Sequence, residues 1–174
     1  MTEGVTAIAG IEIPSTSPVF LIIVGFHILL GLTCVVTGLV AMMSPKGRGR
    51  HSNCGTVYYW CLSAVFASAT ALSAMRWAEN YHLFAIGALS FGTALLGRAA
   101  ARQPQPRRRF DLHVTGMGLS YIFLLTAFYV DNGKNLPLWK ELPAIVLWLL
   151  PAVVGIPIIV RVLLRHPLLR QPRN

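Results

Sequence analysis

The sequence predicts an all-α integral membrane bundle of about five transmembrane helices, and three observations carry that prediction. Five apolar runs of span length follow one another with no long polar insert between them. Only 12% of the 174 residues are charged while 55% are hydrophobic, whereas a water-soluble domain carries charge on about a quarter of its residues. The basic residues, finally, gather in alternate connections between the runs.

A bilayer core about 30 Å thick needs roughly 20 apolar residues in helical form. The first run, 19–43, follows Pro18 and stops at Ser44-Pro45. The second covers 55–75 and is closed by Arg76. The third runs from about Glu79 to Gly97-Arg98. The Pro- and Arg-rich stretch that follows, ending in Arg107-Arg108-Arg109-Phe110, reads as a loop that no span tolerates. The fourth run covers 110–130, and Asp131-Asn132-Gly133 turns the chain. The fifth, 143–164, contains Pro151 and Pro157 and is expected to bend. The organisation expected is an N-terminal extracytoplasmic segment 1–18, a single transmembrane bundle 19–164 and a basic cytoplasmic tail 165–174. The N-terminus lacks a positive region and carries Glu3 and Glu12, so a cleaved signal peptide is not expected.

Orientation follows from the distribution of Lys and Arg. Lys46, Arg48, Arg50, Arg98, Arg102, Arg107, Arg108, Arg109, Arg161, Arg165, Arg170 and Arg173 all fall at one set of helix ends, leaving Arg76, Lys134 and Lys140 at the other. Of the acids, Asp111 alone sits with the basic ends. The N-terminus is therefore expected outside and the C-terminus in the cytoplasm, as for a multi-pass protein of a bacterial inner membrane. Tyr58, Tyr59 and Trp60 at one face, and Trp77, Tyr81 and Trp139 at the other, read as interfacial belts. The net charge of +9 does not point to nucleic acid, because the cations sit in short loops without interleaved exposed aromatics. Cys34, Cys54 and Cys61 form no CxxC pair and read as small packing residues.

Ionisable residues in spans are costly and mark functional candidates. His27 lies inside the first run, His51 at the cytoplasmic start of the second, His82 near the outer start of the third and His113 near the cytoplasmic start of the fourth. His166, in the tail, reads as a solvated interfacial residue. In an up-down bundle the first and third helices face each other, as do the second and fourth. His27 and His82 are thus expected to form an outer pair, and His51 and His113 an inner pair. Two imidazoles from facing helices are a standard way of holding haem iron, so two b-type haems would form an electron path across the bilayer. Depth is the obstacle: His27 is about 12 Å into its run and His82 about 5 Å.

Each of these histidines has a glycine close by: Gly31 after His27, Gly55 after His51, Gly87 after His82 and Gly116 after His113. A porphyrin lying along a helix needs a flat surface, which glycine supplies. The plainer reading is that glycine lets membrane helices pack closely, and that His51 and His113 sit at polar interfaces near anionic headgroups.

One histidine on each of four consecutive helices resembles the transmembrane cytochrome b561 architecture, in which pairs on alternate helices hold two haems b. In its phrasing the chain resembles a bacterial group of membrane proteins, the domain of unknown function 2306. That resemblance rests on His27-x3-Gly31, on Lys46-Gly47-x3-His51-x3-Gly55-x2-Tyr58, and on Asp111-x-His113-x2-Gly116-Met117-x2-Ser120-Tyr121. It implies the helical membrane fold and no particular activity. The connection at 44–54 is shorter and richer in glycine than the cytochrome b561 pattern implies.

Two other functions compete. His51, Asp111 and His113 together present imidazole and carboxylate at the cytoplasmic ends, a donor set suited to zinc with an open water position. A structural or accessory subunit of a larger membrane complex, or a homo-oligomer, is equally compatible with so small a chain. Ser120 and Tyr121 mid-span, with Tyr129 and Asp131 at the outer end, are candidates for a quinone or proton path, although hydrogen bonding between helices is the simpler role. No Gly-rich phosphate loop, nucleophile elbow or HExxH motif occurs, so nucleotide and acyl-transfer chemistry have no support, and whether the chain is an enzyme stays open.

Overall fold

Each apolar run becomes a helix because only a helix satisfies its own backbone N–H and C=O groups in hydrocarbon. The computed structural model describes residues 6–8, 11–13, 17–137 and 139–165. It contains α1 (Pro18–Met43), α2 (Arg50–Met75), α3 (Trp77–Ala100), α4 (Pro106–Asn132) and α5 (Ala144–Arg165). All five are long and apolar enough to cross a membrane, and the chain is a multi-pass helical membrane protein. Two short strands precede them, β1 (Thr6–Ile8) and β2 (Ile11–Ile13), paired antiparallel with Thr6 opposite Ile13. The sequence pattern gave no sign of that hairpin. His166 and the tail beyond Arg165 lie outside the described residues.

Contacts divide the chain into two compact units that meet at Phe84–Ala85, inside α3. In the first unit, α1 packs along α2. Phe20, Cys34 and Ala41 are buried at intervals of fourteen and seven residues, a spacing that keeps side chains on one helix face, and His27 falls in the same series. Phe26, Leu29, Leu32, Val36 and Leu39 are exposed on α1, as suits a face toward lipid. Ser44 ends α1: its N–H (3.0 Å) and its hydroxyl (2.6 Å) both donate to Val40 O, and Pro45 then bars further helix. The return to α2 runs through Gly47 (φ +129°) and Gly49 (φ +103°), conformations that favour glycine.

A single residue, Arg76, separates α2 from α3. Its side chain is only 13% exposed, pairs with Glu79 at 3.3 Å and stands 5.3 Å above the Phe20 ring. Tyr58 departs from the belt expected of it. It is 2% exposed and part of the core, whereas Trp60, Trp77 and Tyr81 are exposed as a belt requires.

In the second unit, α3 and α4 approach through small residues. A Cβ on Gly97 would stand 2.8 Å from Met117 N, and one on Gly116 would stand 2.7 Å from Gly97 Cα. Ser90 Oγ donates to Ser120 O at 2.8 Å in this seam. Helix α5 meets α4 by exchanging knobs, with Ile159 over Gly118 and Ile122 over Gly155. The arginine-rich stretch is not wholly a loop. Pro106 occupies the first position of α4, where its missing N–H costs nothing, so Arg107, Arg108 and Arg109 form a helical first turn. Helix α2 likewise starts five residues before the expected 55, which puts His51 inside it.

Candidate functional site

Three of the four candidate imidazoles are tied by Nδ1 to a neighbouring helix. His27, on α1, lies 2.8 Å from Ser68 Oγ on α2. The Ser68 hydroxyl also lies 2.9 Å from Val65 O, so Ser68 links the His27 imidazole to the backbone of α2. His51 Nδ1 stands 2.8 Å from Ala41 O, and His113 Nδ1 stands 2.8 Å from Gly97 O. A carbonyl only accepts, so both imidazoles donate through Nδ1. In the neutral ring, Nε2 of His51 and of His113 then bears the electron pair.

His51 and His113 share a local design. Each starts from the second helix of a hairpin and reaches a carbonyl in the last turn of the first, where carbonyls lack intrahelical donors. At the end of α3, Ala101 N turns to Arg98 O, and Gly97 O receives His113. At the end of α1 the capping is denser: Lys46 Nζ donates to Met42 O at 2.8 Å and reaches Ala41 O at 3.5 Å beside His51. Desolvation holds the Lys46 ammonium below the usual lysine pKa. The motif Lys46-Gly47-x3-His51 is thus a clamp on the end of α1.

His82 is half-buried near the start of α3, its ring edge-on to Tyr81 at 5.6 Å. His27 follows Pro18 by nine residues and His82 follows Trp77 by five, or about 13 and 8 Å along their helices at 1.5 Å per residue. His51 and His113 belong to different units, and each is defined by the carbonyl it holds.

The four glycines divide. A Cβ on Gly31 or Gly55 would meet nothing within 4 Å, leaving room beside His27 and His51. The surface at Gly116 is taken by α3, so that glycine serves helix packing and not a porphyrin face. Gly87 is half-buried on α3. Asp111 Oδ1 is buried with no hydrogen-bond partner among the described residues. Among those residues, no group of three or more His, Cys, Asp and Glu side chains gathers to hold a metal ion. Ser120 is fully buried and its hydroxyl donates to Met117 O at 2.8 Å, while its carbonyl accepts from Ser90; these bonds are structural.

Ser68 is the residue that motif reading missed. A signal existed, since a hairpin folded about Gly47 sets residue 27 opposite residues near 67. No family model, curated protein or solved structure matches the chain.

Proposed function

We propose that the chain is an integral membrane b-type haem protein that carries electrons within or across the bilayer, its basic ends in the cytoplasm. The observation that carries this reading is the anchoring of His27, His51 and His113, each held through Nδ1 to a neighbouring helix. A ligating histidine characteristically donates its other N–H to a carbonyl or similar acceptor, which fixes the ring and raises its basicity. Haem b, when bound, supplies the one-electron couple.

His27 and His82 are the pair to which the reading commits, both lying in the first unit. Ser68 orients His27, and the open surface at Gly31 admits a flat ring beside it. The hydrogen bond to the ligand is one of the levers by which a protein sets the potential at such a site. A quinone or a membrane redox complex is the class of partner that the reading implies.

Purified protein is expected to show a Soret band that sharpens and shifts on dithionite reduction. His27→Ala is expected to remove the outer haem, and Ser68→Ala to keep haem but move its potential, because the hydrogen bond to the ligand is lost. A full, unaltered haem spectrum in His27→Ala overturns the outer site. A colourless protein with stoichiometric zinc overturns the whole reading.

A further inference from the structure

The strongest uncompensated charge among the described residues lies at the connection of α3 to α4. Arg102, Arg107, Arg108 and Arg109 are all exposed. None of the four makes an ion pair or a side-chain hydrogen bond among the described residues. Asp111 is the one acid between Glu79 and Asp131, so the four arginines outnumber it, and its buried Oδ1 has no hydrogen-bond partner among the described residues.

Their height relative to the span is informative. Helix α4 begins at Pro106, while its apolar run begins at Phe110. Four residues at 1.5 Å each carry this first turn about 6 Å beyond the hydrocarbon. The headgroup layer is about 5–8 Å deep on each side of the core. Arg107, Arg108 and Arg109 therefore stand at headgroup depth, and the helical step of about 100° spreads them around the axis. Arg102 adds a fourth guanidinium from the turn just before. The planar guanidinium fork matches a phosphate in bidentate fashion.

We propose that Arg102, Arg107, Arg108 and Arg109 form a collar that binds the phosphodiester headgroups of anionic phospholipids in the leaflet facing the basic ends. The ligand is a membrane lipid and not a nucleic acid, because the collar projects by one helical turn and no exposed aromatic interleaves with it. The proposal is independent of the haem reading, since it uses none of the histidines.

The test is the electron spin resonance of spin-labelled lipids around the full chain reconstituted in phosphatidylcholine. Labelled phosphatidylglycerol is expected to be immobilised more than labelled phosphatidylcholine, by about fivefold for each arginine engaged at low salt, with the difference shrinking as salt is raised. R107Q/R108Q/R109Q should bring the two labels nearly level, whereas R107K/R108K/R109K should keep part of the preference, because lysine retains the charge and loses the bidentate fork. R102Q, in the turn and outside the helix, gives an independent and smaller loss. A wild-type chain that does not distinguish the two lipids overturns the proposal. So does a preference that survives R107Q/R108Q/R109Q, or one abolished by soluble RNA or an acidic peptide at physiological salt, because either polymer would then be the better occupant.

Discussion

His51 and His113 donate through the same ring nitrogen to the same kind of acceptor, yet their losses should differ. Gly97 O, on a buried residue, depends on His113 at 2.8 Å, because Ala101 N bonds Arg98 O instead. Ala41 O has His51 at 2.8 Å and also Lys46 Nζ at 3.5 Å. Leaving a buried acceptor unsatisfied costs about 1–3 kcal/mol, whereas an ordinary hydrogen bond contributes about 0.5–1.5 kcal/mol. His113→Ala is therefore expected to destabilise the protein more than His51→Ala, read as the fall in thermal midpoint of the two variants in one detergent. Equal losses would show that Lys46 does not stand in for His51 at Ala41 O. The histidines were legible as candidates because charge within an apolar run stands out. Their acceptors were not, since Ala41 and Gly97 take part through backbone oxygens, which no residue type announces.

At the level of helices, glycine has two opposite meanings. Gly97 and Gly116 exist so that two backbones can touch: an added Cβ would meet Met117 N at 2.8 Å or Gly97 Cα at 2.7 Å. Gly97→Ala or Gly116→Ala must push α3 and α4 apart, an overpacking cost of about 1–3 kcal/mol each. At Gly31 and Gly55 a Cβ meets nothing within 4 Å, so alanine there should be neutral or stabilise by up to about 1 kcal/mol through helix propensity. Chemical denaturation of the four variants checks the contrast. Under the haem reading, Gly31→Ala carries a second signature, lower haem content in a protein no less stable. Spacing from histidine suggested one role for both kinds of glycine. What separates them is the partner helix, and the hairpin register supplies it: folding about Gln105 sets Ser90 against Ser120, the pair joined at 2.8 Å, and brings Gly116 to the turn that holds Thr93 and Gly97.

For the molecule as a whole, the five spans were legible because hydrocarbon imposes one length and one composition on every crossing. Helix starts were less so, since Arg50 and Pro106 begin helices in water-facing stretches where hydropathy is silent. The two strands before α1 were not legible at all, a three-residue pairing being too short for alternation to register. Five crossings also fix a parity that can be measured. Carrying the arginines of the 98–109 segment through the bilayer would cost about 2.5–3.5 kcal/mol for each at mid-membrane, so that segment and the 44–49 connection should share the cytoplasmic side. In a C34A/C54A/C61A background, Arg48→Cys and Gln103→Cys are expected to resist a membrane-impermeant maleimide applied to intact cells and to react once the cells are opened. Asn135→Cys, exposed in the turn between α4 and α5, is expected to react from outside in both cases. Should Arg48→Cys and Gln103→Cys label from opposite sides, either α2 or α3 fails to cross, because a pair of complete crossings must return the chain to the face it left.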